Sequence, residues 1–521
     1  STPSSTPSIT GSLSPSKAAS TVPSGSPSQS PTLTSSLMPS ARPSIAHSKM
    51  PSVTPSMKPS SSPSMVPSLK PSQSPTSLPS KMPSVTPSMK PSSSPSMVPS
   101  LKPSQLPTSL PSSEPTIKAS SEPSEQPTPA PTPSPTIDYK LIASNAITEK
   151  GVDLSGNCQS QAINWLGNNA MLSSYTEQKM LQRFALAVIH CSTNSVKTVY
   201  TDYTYGEGND IPGWTHSDGW MTDVDECSWH GISCDETGAV TGIDLTSNGL
   251  TGSIPDEITL LNGSLKHLDI SHNIVANEKA QLEWIGQLDK LTHLDVHFNN
   301  FHDDGLPSGL QHLTDLHFLD ISYCLFFGEL DGAIFKDMQK LRYLEMGGND
   351  YNSPMPSEIV DLPILEHLYI DNTHLTGDLN WLSHCHSKNL FEVWVDKNPG
   401  VVGTIPWLIG EITSIESLSI SSCGLTGTVP TELADLTGMQ QLWLFNNTLT
   451  GTIPSELASL TSMHTFHVED NKLVGTMPDE ICELRPPFGS NGILGALAAD
   501  CEGSQPEVSC DCCTCCQSPC L

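Results

Sequence analysis

Five carboxylates recur at nearly constant spacing in the second half of the chain: Asp244, Asp269, Asp295, Asp320 and Glu345. Two residues before the second and third of them stand His267 and His293. Carboxylates brought into one column repel each other, and a cation or a Lys/Arg side chain relieves that repulsion. The column is therefore a candidate site for calcium or a basic ligand. At the same spacing farther on come Tyr369, Trp394, Trp443 and, two residues later, Phe445. Large rings on an otherwise polar face mark binding surfaces and stack on sugars or peptide side chains. Asp also stands at such positions as background, so the rings are the stronger signal. Covalent chemistry has no such signature. There is no P-loop, kinase signature, G-x-S-x-G, H-E-x-x-H or EF-hand loop, and the 17 histidines lack metal-ligand spacing. The sequence predicts neither an enzyme nor a bound cofactor or resident metal.

The elements that position these residues are written as a repeated phrase over residues 240–481. It reads L-x-x-L-x-L-x-x-N and is clearest at Leu265–Asn273 and Met439–Asn447. Its closing residue falls at Asn248, Asn273, Asn299, Cys324, Asn349, Thr373, Asn398, Cys423, Asn447 and Asn471, in steps of 24 to 26 residues. Regular spacing of this length marks a solenoid, whose units cannot bury their apolar faces alone and stack on neighbours instead. The apolar positions point inward and the Asn bonds buried backbone of the turn. Cys324 and Cys423 read as buried members of that column rather than as reactive thiols. The intervening strand positions face outward, so successive copies align the acids and the rings into columns about 4.8 Å per step.

The chain has 521 residues and a formal net charge of −30. Residues 1–136 hold nine Lys/Arg and three Glu, so the acid excess lies wholly in the remainder. Such a field does not attract nucleic acid or anionic lipid. Fifteen cysteines argue for an oxidising compartment. No apolar run approaches the roughly 18–20 residues that span a bilayer. The chain begins at Ser1 without a recognisable leader, which reads as a processed product or a fragment and leaves room for an anchor upstream.

Residues 1–136 are rich in Pro, Ser and Thr, with a proline at every fourth position from Pro51 to Pro115. Met50–Lys81 is repeated almost unchanged as Met82–Ser113. Proline removes a backbone donor and extends its predecessor, and nothing here can offset the ordering entropy of a core. A disordered stalk of polyproline II character is expected, reaching at most roughly 200 Å over that run. It reads as a spacer or as an O-glycosylated anchor.

Residues 137–239 form a different segment. Gln161–Leu166 and Thr176–His190 have helical patterning, and Cys227-x-Trp229-x-Gly231-x-x-Cys234 stands immediately before the first repeat. The repeat phrase and this C-x-W-x-G-x-x-C motif together resemble the leucine-rich repeat family in its plant-type extracellular form. The tandem Pro-Ser array and the Cys-dense tail resemble secreted or cell-surface members from diatoms and related algae.

The resemblance implies an α/β repeat fold: a leucine-rich-repeat solenoid of about ten repeats, with a curved parallel β-sheet on the concave face and disulfide caps. A helical N-terminal cap would span 137–239, the solenoid 240–481, and a Cys-rich cap and tail 482–521. Within the caps it implies bridges Cys227–Cys234 and Cys482–Cys501, with Cys158–Cys191 as an additional bridge outside the usual pattern. The six tail cysteines from Cys510 to Cys520 read as disulfides or as a thiolate metal cluster, the former preferred in a secreted setting. Cys385 is left over, either free or paired with another chain. Asn262 and Asn446 begin N-glycosylation sequons. The family's role is recognition. The expected function is extracellular binding of a protein, peptide or glycan on the concave face, and the alternative is a structural or adhesive protein of the cell wall or matrix.

Overall fold

The computed structural model describes residues 138–194, 197–198, 210–211, 213–276, 282–486, 488–489, 492–503 and 507–516. The expected stalk lies outside these residues.

Three helices open the described chain: α1 (Tyr139–Glu149), α2 (Asn157–Gly167) and α3 (Glu177–Thr193). α1, capped by the Asp138 carboxylate, has no counterpart in the sequence patterning. α3 is buried continuously from Met180 to Ile189. One side packs on α2 and the other on the first repeat, which is why its apolar positions are not confined to one stripe.

The centre of this cap is polar. Arg183, fully buried, donates from Nη1 to Glu226 Oε2 at 2.8 Å and to the Val224 carbonyl, and from Nη2 to the Thr222 carbonyl. Its guanidinium lies 5.1, 5.3 and 5.0 Å from the rings of Trp165, Tyr175 and Trp229. Glu226 is equally buried and also meets Lys179 at 3.0 Å. Trp229 of the C-x-W-x-G-x-x-C motif is thus one wall of a cationic cage. Gly231 is required by its φ of +76° and by the approach of the Asp244 carbonyl, 2.1 Å from where a Cβ would sit. Disulfides join Cys158 to Cys191 and Cys227 to Cys234.

The repeats build one sheet of 12 strands. They are β1 (Ile232–Cys234), β2 (Val240–Asp244), β3 (His267–Asp269), β4 (His293–Asp295), β5 (Phe318–Asp320), β6 (Tyr343–Glu345), β7 (His367–Tyr369), β8 (Glu392–Trp394), β9 (Ser417–Ser419), β10 (Gln441–Trp443), β11 (Thr465–His467) and β12 (Ala496–Ala498). β1 comes from the cap and pairs antiparallel with β2; every other neighbour is parallel. Short helical turns return the chain on the opposite side, and one apolar core runs from Ala185 to Cys512.

The ladder asparagines sit inside this core. Asn398 is completely buried; its amide donates to the carbonyls of Ile370, Val395 and Asp396, and its Oδ1 accepts from the N–H groups of Thr373 and Leu375. Cys324, Cys423 and Thr373 keep part of that pattern: Cys324 bonds the Val296 carbonyl, Cys423 those of Val395 and Ser421, and Thr373 that of Ile370. Both cysteines are buried and unbonded to another sulfur, and Cys385 is a third free thiol.

The C-terminal cap corrects one expectation. Cys482 is bonded to Cys512 and Cys501 to Cys516, not Cys482 to Cys501; Cys510 pairs with Cys513. The reason is β12, an extra parallel strand between Cys482 and Cys501 that the repeat phrase did not reveal. It carries Cys501 beyond the last repeat. Val508–Ser509 then pairs with Gly475–Thr476 on the far side of the solenoid and delivers Cys512 to Cys482. Asp500 takes over the ladder's role, accepting from the N–H groups of Asp470 and Asn471 at 2.7 and 3.1 Å.

Three substitutions test this account. E226M leaves the Arg183 guanidinium buried without its counter-charge and is expected to cost about 3–5 kcal/mol, whereas adding R183M recovers part of that loss; denaturant melts of the parent and these two variants read the difference. N398A strands several buried backbone groups and is expected to lower the unfolding free energy by about 3 kcal/mol, seen as a lower denaturant midpoint.

Candidate functional site

The parallel register brings the two columns together residue by residue. Gly242, His267, His293, Phe318, Tyr343, His367, Glu392, Ser417, Gln441 and Thr465 lie in one line. Beside them run Asp244, Asp269, Asp295, Asp320, Glu345, Tyr369, Trp394, Ser419, Trp443 and His467.

The acids are less available than their spacing suggests. In four successive rungs the carboxylate accepts from the backbone N–H two residues on: Asp244 from Thr246, Asp269 from Ser271, Asp295 from His297 and Asp320 from Ser322. The same oxygen also takes the hydroxyl of Thr246, Ser271 or Ser322. These are local turns that close each strand. Asp295 and Asp320 are only 8% and 5% exposed, so the centre of the acidic column lies beneath the surface. Asp244 is exposed, while Asp269 and Glu345 are half-buried.

Crowding there is relieved from within. His297 Nδ1 lies 2.6 Å from Asp295 Oδ1 and 3.4 Å from Asp320 Oδ2, and its Nε2 is 3.0 Å from His272 Nε2. Burial pulls the His297 pKa down, but the hydrogen bond to Asp295 and the charges of Asp320, Asp295 and Glu345 outweigh it and raise the value to about 9. Burial, with the Glu345 charge, pushes the Asp320 carboxyl well above the usual carboxylate range. His293 differs: burial and the neighbouring His267 lower its pKa to about 4, leaving it neutral at pH 7.

Aromatic contact is more extensive than the four rings singled out from sequence. His267, His293, Phe318 and Tyr343 form a continuous stack, with ring centroids 4.2, 4.1 and 4.3 Å apart. Tyr343 then meets Tyr369 at 5.4 Å, Tyr369 meets Trp394 edge-on at 5.1 Å, and Trp394 meets Trp443 edge-on at 5.9 Å. Phe318 and Tyr343 were missed as site residues, although their in-line spacing with the two histidines was the available signal. Trp394 and Trp443 stand two rungs apart and lean over the intervening serines, with Trp394 Nε1 donating to Ser417 Oγ at 3.1 Å. Ser417 and Ser419 are accordingly buried. Phe445 touches His467 at 6.4 Å and does not join the track. Tyr369 donates its hydroxyl to Glu392, which fixes the ring at the crossing between the columns.

The Leucine Rich Repeat family model matches residues 414–436 and 438–460, the units that carry β9 and β10. These units are leucine-rich repeats. Among curated relatives, this repeat protein is 28% identical over 186 residues to the receptor-like protein kinase HAIKU2 of Arabidopsis thaliana, covering 34% of this chain and 18% of that one. It is 27% identical over 210 residues to Receptor-like protein 6 of the same plant, covering 38% and 21%. The chain thus spans about a fifth of the length of these relatives, and likeness to the kinase-named one is confined to the repeats. A solved plant structure, the LRR ectodomain of the receptor kinase GASSHO1/SCHENGEN3 from Arabidopsis thaliana, aligns with a TM-score of 0.47 at 26% identity, covering 55% of this chain and 34% of that one. No helix among the described residues is long and apolar enough to cross a membrane.

The raised pKa of His297 fixes a pH dependence. Its stabilising contribution is complete below the unfolded value near 6.5 and is lost as pH rises through about 9. NMR titration should place its imidazole near that value. H297N should remove the stability loss between pH 6.5 and 9; a titration midpoint near 6.5 would contradict the contacts with Asp295 and Asp320 described here.

Proposed function

We propose that this protein is an extracellular recognition module that holds a peptide or an extended protein segment on its concave face. The observation that carries the reading is the half-buried ring track Tyr343–Tyr369–Trp394–Trp443, which is continuous across β6 to β10. Edge-on packing of Tyr369 with Trp394 and of Trp394 with Trp443 covers one ring face in each pair. That favours the apolar side chains of a peptide over a sugar ring, which requires an open face to stack on. Glu345 stands at one end of the track, with Asp269 and Asp244 farther out along the same column, and these acids favour a segment with Lys or Arg on that side. Phe445 and the exposed sequon residue Asn446 would bound the other end, and a glycan on Asn446 would fence it. Asn262, also exposed, stands at the end of a turn outside the concave sheet. The disulfide-stapled caps suit an oxidising extracellular setting.

Panning a random peptide display library against the immobilised chain tests this. Enriched peptides should combine apolar with basic residues, and W394A/W443A should weaken their binding by about thirtyfold or more, the loss typical of a hot-spot residue. No enrichment, or enriched peptides indifferent to the double substitution, overturns the reading. Capture on a glycan array that depends on the same two tryptophans would transfer it to sugars.

A further inference from the structure

Beside the ring track, on β3 and β4, lies a cluster that peptide binding does not require. His267 and His293 are register partners on adjacent parallel strands, their rings 4.2 Å apart and 21° from parallel. Asp269 follows His267 by two residues and so projects from the same face of the sheet. One ligand atom from each of the three lies within 4.8 Å of the other two. Among the described residues no hydrogen bond reaches a ring nitrogen of either histidine. The Asp269 carboxylate spends Oδ1 on Ser271, from whose N–H and hydroxyl it accepts at 2.9 and 2.6 Å, and no hydrogen bond among the described residues reaches its Oδ2. All three side chains are partly exposed to the concave space.

We propose that His267, Asp269 and His293 form a binding site for a borderline first-row divalent cation, of the class of Zn2+, Ni2+ or Cu2+. Two imidazole nitrogens and one carboxylate oxygen match the preference of these ions; calcium, which takes six to eight oxygens, is a poor fit. Metal–ligand bonds near 2.0–2.1 Å require the donor atoms to close to about 3.3 Å, a contraction that small side-chain rotations of three half-exposed groups supply. The surroundings already hold the ligands as a metal centre does. Phe318 stacks on His293 at 4.1 Å and fixes its plane, and Ser271 orients the Asp269 carboxylate. Asp244 and Asp295, the register neighbours of Asp269, add negative charge on both sides. Three protein ligands leave at least one coordination position open toward the concave space, where water or a donor group of a bound segment can enter.

The second imidazole–carboxylate cluster, Asp295, His297 and Asp320, lacks this availability: both ring nitrogens of His297 are engaged and both acids are buried. The proposal goes beyond the peptide reading and does not depend on it, because it concerns the cation alone.

Calorimetric titration of the full chain with ZnCl2 at pH 7.5, and with CoCl2 followed by visible absorption, tests it. One saturable site is expected, weakened by about tenfold or more in H267Q and in H293Q, with no heat from CaCl2. Co2+ should give nitrogen- and oxygen-ligand bands without thiolate charge transfer, and circular dichroism should show the variants folded like the parent. Zn2+ titrations that superimpose for the parent and H267Q/H293Q overturn the proposal. So does Co2+ binding whose spectrum is wholly thiolate, since that assigns the ion to cysteine. W394A/W443A should retain the cation site, which separates its fate from that of the peptide reading.

Discussion

The buried amide ladder is the constraint on which the rest of the molecule depends. Each full ladder asparagine donates to carbonyls of its own turn and the preceding repeat, and it accepts N–H groups that the turn leaves without a partner. The residue just before the ladder position adopts a left-handed conformation in rung after rung, including bulky Phe298 before Asn299 at φ 49° and Tyr323 before Cys324 at φ 51°. That conformation costs roughly 1–2 kcal/mol for an ordinary residue, and the ladder bonds offset it. A strand slipped by one residue would lose the amide pairing and reverse every side chain. Registration is therefore enforced from inside the core, and the outer columns inherit it.

Inherited register creates a crowding problem on the concave face, and the two halves of the sheet resolve it differently. In the first half, five acids fall on successive rungs. Their repulsion is lowered by turn hydrogen bonds, by the His297 imidazole and by the upward shift of Asp320. In the second half, bulky rings fall where the acids would have continued. They are accommodated because Ser417 and Ser419 leave room for two indoles to lean together. Asp396, half-buried beside this region, accepts from Ser419 Oγ and the Ser421 N–H, and desolvation raises its pKa to about 6.

The repeat period and the identity of the outward columns were legible in the sequence because they follow from a strict two-residue alternation and a nearly constant step. Availability was not. Whether Asp320 faces solvent depends on the depth of its rung and on Ser322 closing over it, and neither is encoded in spacing. Arg183 escaped notice for a related reason: a charged residue in an apolar helical stretch reads as surface, while its partners Glu226, Trp165 and Trp229 come from distant segments. The expected Cys482–Cys501 bridge does not form because β12 enters the sheet after an interval longer than the repeat step and carries Cys501 away to Cys516.

Local composition therefore decides what a shared scaffold can present. An aspartate of the acidic column followed by Ser or Thr two residues later is drawn into its own turn, which strengthens the strand end and engages one carboxylate oxygen. Where His replaces Ser, as at His297, the acid gains a buried counter-charge and is withdrawn further. Where the acid gives way to Tyr or Trp, no such turn forms, and the ring must find support from neighbouring rungs through Glu392 or Ser417. The exposed chemistry of the face is the remainder left after these internal bonds are satisfied, and it is concentrated at β3–β4 and at β6–β10.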